Sequence, residues 1–554
     1  MTRFFPLLIA AWATFGLMAV SAQAADVAAN SRPNILLIVA DDMGYTDWGG
    51  FGGEIHTPNL DKLAAQGQKF SQFYTAPTCS PTRAMLLTGI DHHQVGMGSM
   101  LELLRPNQIG VPGYEGHLTH QAVTLPELLQ DSGYRTMMAG KWHLGLDPAQ
   151  DPTQFGFDQS YVMLLGAASH FSDEAPYAPN YPPIYRHNGK QVHTPENFYS
   201  SNFYADQIDT WISKTPTDQP VFAYLAFTAP HDPLHVPDAW LERYRGKYDG
   251  GYDQLRRTRT EQLVELGLLA DADLAAPLPA HVPAWHELTA TQQAQSARAM
   301  EIYAAMVENL DANVGKVIAT LKREGRYDNT LVMFISDNGA NGIMLQQNPI
   351  VTPGWVAEKS DNRLSNLGRK GSRPSTGPGW ALAGTAPFAL HKLFISEGGV
   401  RSPLVVSGPG VQPSAAPVTA ITTVRDIMPT LLEVAGVTPP DEYQGQKVLP
   451  IEGRSMVPLL KGEAATVHPA DTEFGFELFG MQALRKGDWK ASNINRPFGT
   501  ASWQLFNLAE DPGETNDLAA EHPQRLQQLI DAWLRYAQRG GIVLPDKPIF
   551  GEGS

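Results

Sequence analysis

The sequence predicts an α/β fold: a large mixed, mostly parallel sheet flanked by helices, followed by a smaller C-terminal α+β domain. Residues 34–40 (Asn-Ile-Leu-Leu-Ile-Val-Ala), 221–227 and 331–336 are continuous apolar runs rich in branched side chains. Such runs read as strands buried on both faces, hence as a parallel sheet covered by helices. Residues 404–406 are a shorter candidate of the same kind. Between the strands lie helical patterns. Met300, Tyr303, Met306, Val307, Leu310, Val314, Val317, Ile318 and Leu321 fall on one stripe, closed by Gly325. Strands alternating with helices define an α/β domain. From about residue 418 the pattern changes: a helix over 426–435, short strands at 481–484, 489–492 and 503–507, and a last helix over 524–539.

The N-terminus carries its own signature. Arg3 precedes an apolar run over 4–20, and Ala22-Gln23-Ala24 is a small-x-small cleavage site. This predicts a signal peptide over 1–24, a catalytic α/β domain over 25–417 and the smaller domain over 418–554. The mature protein is then expected in the periplasm or secreted, with no stable membrane insertion. A chain of 554 residues suits a large domain plus a smaller one. Its formal charge of −16 argues against a nucleic-acid partner, since phosphate backbones are bound by clustered Lys and Arg. Any anion site must be locally positive against that field. Two long stretches read as insertions: 247–286, polar and partly helical, and 346–387, rich in Gly, Pro, Ser and Asn and placed to act as a binding loop or lid.

The residues just past each strand carry the chemistry. Residues 34–40 end at Asp41-Asp42, 221–227 just before His231, and 331–336 at Asp337-Asn338. Open α/β sheets bind ligands at the carboxyl ends of their strands. Asp41, Asp42, Asp337 and Asn338 are hard oxygen ligands, suited to calcium or magnesium and poor for zinc. Cys79 is the single cysteine, so the chain has no internal disulfide. It is either an inert buried thiol or a nucleophile or its precursor.

Its surroundings favour the second reading. Cys79-Ser80-Pro81-Thr82-Arg83 continues as Ala84-Met85-Leu86-Leu87-Thr88-Gly89. Pro81 is placed to open a helix and Gly89 to end it, which sets Cys79 at a helix N-terminus that favours an anion. Arg83 lies further along the same face. A second block, Gly133-Tyr134-Arg135-Thr136-Met137-Met138-Ala139-Gly140-Lys141-Trp142-His143, offers fixed cationic donors for a tetrahedral anion.

On these residues the chain resembles the formylglycine-dependent sulfatases of the alkaline phosphatase superfamily, most closely bacterial arylsulfatases. The Cys-x-Pro-x-Arg motif with Thr-Gly at this spacing and the Lys-x-His block carry the likeness. A C-terminal run from Trp503 to Leu518 extends it over nearly the whole mature chain. The resemblance implies that a separate maturation enzyme oxidises Cys79 to formylglycine. The aldehyde hydrate would attack sulfur and release sulfate by re-forming the aldehyde. It implies one calcium ion held by Asp41, Asp42, Asp337, Asn338 and the modified residue 79. Arg83 would help hold the hydrate, Lys141 and Lys392 would clamp the sulfate, His231 and Lys392 would assist the leaving alcohol, and His143 would help regenerate the aldehyde. The expected substrate is a small-molecule or glycan sulfate ester.

A phosphonate monoester or phosphodiester hydrolase on the same scaffold is the alternative, and a silent binder of sulfated glycans a third reading. His92, His93, His235 and Arg401 are not demanded by the motifs and are expected to fill loop or core roles.

Overall fold

The computed structural model describes residues 32–173 and 175–550; the expected signal peptide over 1–24 lies outside them. The main sheet contains β1 (Asn34–Ala40), β2 (Gln68–Tyr74), β3 (Arg135–Lys141), β4 (Gln159–Met163), β5 (Tyr185–His187), β6 (Lys190–Val192), β7 (Val221–Ala226), β8 (Thr330–Ser336), β9 (Arg401–Ser407) and β10 (Thr422–Thr423). Their spatial order is β10-β2-β9-β8-β1-β7-β3-β4-β5-β6. The centre, β8-β1-β7-β3-β4, is wholly parallel. Strand β9 runs antiparallel to both its neighbours, β8 and β2. The fold class read from the sequence is therefore the observed one.

The burial pattern explains why. Every residue of β1, β7 and β8 is buried. Alternate side chains of β1 feed two cores: Leu36 and Ile38 enter one, Ile35, Leu37 and Val39 the other. The first core is closed by the long helix Ala290–Arg323, whose Met300, Met306, Leu310 and Val314 are buried in it. A capping box at Thr289 and Gln292 opens that helix by satisfying backbone N–H groups its first turn leaves free.

The second core takes the helix Cys79–Thr88 and the helix Ile427–Ala435. Strand β10 adds to the edge of the main sheet beside β2. A separate four-stranded antiparallel sheet comprises Glu473–Leu478, Met481–Lys486, Trp489–Asn493 and Gln504–Asn507, backed by the helix Pro523–Gly540. Among the described residues no helix is long and apolar enough to cross a membrane.

Candidate active site

Because β8, β1, β7 and β3 are parallel, their carboxyl ends share one edge. Asp41 and Asp42 follow β1, Lys141 ends β3, His231 follows β7, and Asp337 and Asn338 follow β8. All of these side chains are buried. Asp42 (φ 68°) and His143 (φ 55°) hold the left-handed backbone conformation that non-glycine residues avoid, a strain common where a side chain must be aimed.

Cys79 reaches this edge on the helix that carries it. The helix begins at Cys79, two residues before Pro81, with Thr78 as its N-cap in extended conformation. Proline is tolerated in that first turn because the N–H it lacks would have no partner within the helix. Gly89 ends the helix as expected, taking φ 67° and donating its N–H to Met85 O. Cys79 Sγ lies 3.4 Å from Asp41 Oδ1 and 3.9 Å from Asp42 Oδ1.

Three cations meet three carboxylates. Lys141 Nζ is 2.9 and 2.8 Å from the two oxygens of Asp41. Lys392 Nζ is 2.7 Å from Asp42 Oδ1. Arg83 donates from Nε and Nη2 to Asp337 Oδ2 at 3.1 and 2.7 Å, and from Nη1 to the Lys141 carbonyl at 2.9 Å. Burial pushes the Asp41 carboxyl up, but the charges of Lys141, His231, Arg83 and Lys392 together hold it far below the usual range. Burial also weakens the Lys392 ammonium, yet Asp42 keeps it well above its ordinary value.

A divalent cation fits the donors present. The carboxylate oxygens of Asp41 and Asp42 lie within 4.8 Å of Cys79 Sγ and a His231 ring nitrogen. Asn338 Nδ2 donates to Asp42 Oδ1 at 2.7 Å, while Asn338 Oδ1 is buried with no hydrogen-bond partner. A buried orphan oxygen beside three carboxylates is the kind of donor a hard divalent cation takes. With such an ion the site would carry net positive charge, suited to an anionic ester.

The two histidines differ in environment. His231 Nδ1 donates to the Asp232 carbonyl at 2.6 Å, which directs Nε2 to within 3.4 Å of Asp42 Oδ2. Burial lowers the pKa of His231, but Asp42, Asp41 and Asp232 together raise it above the ordinary value. His143 Nε2 lies 3.3 Å from Glu102 Oε1 without hydrogen-bond alignment. Burial there wins over Glu102 and holds His143 below its ordinary value.

The structure thus brings together all ten residues singled out from the motifs. It places the other candidates elsewhere. His92 Nδ1 bonds the Met97 carbonyl, His93 lies between Asp91 and Glu477, and His235 Nε2 bonds the Ser372 carbonyl. Arg401 donates to the Ser71 carbonyl and lies over Phe388. Sequence reasoning missed Glu102, Tyr177, Tyr181 and Asp232. Tyr177 donates to Asp232 Oδ1 at 3.2 Å, and Tyr181 reaches Glu102 Oε1 at 3.4 Å. Of these, only Asp232, an acid adjacent to His231, leaves a visible signal. The 346–387 stretch does border the site, through Ser375, which donates to Asp232.

The Sulfatase family matches residues 33–437, and the N-sulphoglucosamine sulphohydrolase C-terminal family matches 388–538. An arylsulfatase of Klebsiella aerogenes is 43% identical over 441 residues, covering 78% of this chain and 93% of its own. An uncharacterised sulfatase of Schizosaccharomyces pombe is 43% identical over 534 residues, covering 94% and 96%. Among solved structures, Ps i-CgsB matches with TM-score 0.64 and 26% identity over 92% of this chain and 93% of its own. The PsFucS1 sulfatase from Pseudoalteromonas sp. shares the fold, with TM-score 0.61 and 20% identity over 96% and 95%. With its family match covering most of the chain and a relative of known class 43% identical to it, this protein belongs to the sulfatase family and is a sulfuric ester hydrolase.

Proposed function

We propose that the protein hydrolyses aryl or alkyl sulfate monoesters using a formylglycine made from Cys79 and one calcium ion held by Asp41, Asp42, Asp337, Asn338 and residue 79. The observation that carries this reading is the position of Cys79. It is fully buried at the start of a helix, 3.4 Å from Asp41 and surrounded by Lys141, Lys392 and Arg83. Burial pushes its thiol well up, against the opposing pull of Lys141 and Lys392. A thiol held protonated is a poor nucleophile, which supports a precursor role over direct attack by sulfur. The formylglycine hydrate supplies an oxygen nucleophile and a second hydroxyl through which the aldehyde can re-form.

The chain's own residues would do the rest. Arg83, fixed by Asp337, orients the nucleophile's end of the site. Lys141 and Lys392 hold the sulfate oxygens where charge develops. His231, whose Nε2 lies 3.4 Å from Asp42, donates a proton to the leaving alcohol, with Lys392 beside it. His143, kept neutral by burial, accepts a proton as sulfate departs. Calcium would neutralise the carboxylates and favour the anionic ester.

The same proposal includes a signal peptide over 1–24, periplasmic or secreted location, the catalytic and C-terminal domains divided near residue 418, and a formylglycine-generating maturation enzyme as partner. The sulfatase relatives favour sulfate over the phosphonate or diester alternative. Side-by-side kinetics on 4-nitrophenyl sulfate and a phenylphosphonate ester, with and without calcium, test this. Higher kcat/KM on the phosphonate ester would reverse the assignment.

A further inference from the structure

The catalytic pocket has a mixed lining, part polar and part apolar. Cys79, His143, His231 and Lys392 line it, and Tyr177, Tyr181, Asn341 and Asn348 add further polar groups. Met100, Leu103, Ile343, Ile350, Leu393 and Phe550 form much of the apolar part. Phe550 is contributed by the segment beyond the helix Pro523–Gly540. It is half-buried, with its ring 5.8 Å from that of Phe479.

Its described residues, 541–550, have no regular secondary structure of their own and are strapped to the loop that carries Glu102. Gln108 Nε2 donates to Val543 O at 2.8 Å and Asn107 Nδ2 to Leu544 O at 2.8 Å. Arg105 Nη2 donates to Pro548 O at 3.1 Å. In return, Asp546 N donates to Asn107 Oδ1 at 3.1 Å and Val543 N to Tyr114 Oη at 2.9 Å. Two lining residues, Glu102 and Phe550, are therefore set by one strapped unit.

The charge pattern is equally selective. The basic side chains lining the pocket are His143, His231 and Lys392, and the reading above uses all three at one reacting sulfate ester. Glu102 lines the same pocket. Its carboxyl, 3.3 Å from His143 Nε2, gives a second sulfate on the substrate an acidic neighbour in place of a cationic partner. Sugar hydroxyls set against Met100, Leu103, Ile343 or Phe550 would lose water without gaining partners there. An aromatic ring would instead find edge and face contacts with Phe550.

We propose that the strapped C-terminal segment, through Phe550 and with Glu102 in the same pocket, selects the leaving group, making the enzyme specific for singly sulfated esters of compact aromatic alcohols over multiply sulfated sugars. This rests on the sulfatase reading above. Phe550 acts as a specificity-determining residue and takes no part in the chemical step.

The test is kinetics of the matured, calcium-loaded enzyme on 4-nitrophenyl sulfate, 4-methylumbelliferyl sulfate, galactose 6-sulfate and a disulfated disaccharide. The aryl esters should lead in kcat/KM, with the disulfated sugar last. Phe550→Ala should raise KM for the aryl esters by about tenfold with kcat nearly unchanged, and Phe550→Tyr should restore it. The double variant Asn107→Ala/Gln108→Ala, which releases the strap, should raise KM in the same direction. Equal or better turnover of the sugar sulfates, or an aryl KM indifferent to Phe550→Ala, would overturn the proposal and leave the sulfatase reading intact. Loss of turnover on every sulfate ester would instead sink the sulfatase reading. Calorimetry on Cys79→Ala protein with calcium separates the two: tighter binding of 4-nitrophenyl sulfate than of galactose 6-sulfate supports the proposed selectivity without any turnover, and the reverse order contradicts it.

Discussion

Lys141 Nζ is shared between both carboxylate oxygens of Asp41, at 2.8 and 2.9 Å, with neither side chain exposed to solvent. Removing one partner of such a pair leaves an uncompensated buried charge, typically at a cost of about 3–5 kcal/mol. Lys141→Met should therefore lower the thermal midpoint. It should also reduce kcat/KM by about 100-fold or more, because it removes a fixed donor to the sulfuryl group. Thermal denaturation and kinetics on the same preparation check both. A variant as stable and as active as the parent would contradict the roles given to this pair.

Removing calcium should abolish turnover while leaving the protein folded. Asp41, Asp42 and Asp337 already face Lys141, Lys392 and Arg83, so the carboxylates keep their partners when the ion is stripped. Chelation and then calcium titration should restore the activity, and circular dichroism should change little throughout. Asn338→Ala, which deletes the orphan oxygen, should raise the calcium concentration for half-maximal activity by at least about tenfold. An unchanged calcium requirement would remove Asn338 from the ligand set.

Stability should decline at alkaline pH through His93. Its Nδ1 is 2.8 Å from Asp91 and its Nε2 3.0 Å from Glu477, so one imidazolium ties the end of the Cys79 helix region to the C-terminal sheet. Burial alone would lower its pKa, but hydrogen bonds donated to Asp91 and Glu477 raise it from 6.5 to about 9. A folded pKa above the unfolded one stabilises fully below about pH 6.5, and the gain is lost as pH rises through about 9. The linked term is on the order of 3 kcal/mol. Denaturant unfolding at pH 6.5 and 9.5 should show this fall, and His93→Gln should flatten it. An equal fall in both proteins would exclude His93 as its source.

Much of the fold and site is legible in the amino-acid sequence, for a physical reason. β1, β7 and β8 are buried on both faces, so they must be continuous apolar runs, and the residues after them announce the ligand edge. Strand β3 reads only as a motif, because Arg135, Gly140 and Lys141 disguise it. Gly140, at φ 124°, lies where any Cβ would strike the Ala226 carbonyl of the neighbouring strand. Strand β2 is masked by Gln68, Lys69 and Gln72, and the reversed direction of β9 leaves no local signal. Cys79, Arg83, Lys141 and His143 stand out because fixed spacings carry them. Glu102, Tyr181 and Phe550 do not, because loops bring them in from distant parts of the chain and no spacing encodes that.

The C-terminal sheet should be held to the catalytic domain largely by Lys490. Its ammonium, fully buried, lies 2.9 Å from Glu397 and 3.0 Å from Glu514. Burial would raise the Glu397 carboxyl, but Lys490, Arg485 and Arg401 bring it down to about 2. Lys490→Met should destabilise the protein by about 3 kcal/mol or more. Glu397 and Lys490 are far in sequence but close in space, so limited proteolysis between the two domains should also accelerate. Unchanged denaturant midpoint and cleavage rate would show that the apolar contacts suffice.

Turnover of 4-nitrophenyl sulfate with calcium, by protein co-produced with a formylglycine-generating enzyme and compared with a Cys79→Ala control, tests the central claim most directly. The account predicts turnover in the first protein and its loss in the control. Turnover retained without Cys79, or absent once peptide mass shows the aldehyde at position 79, would contradict it.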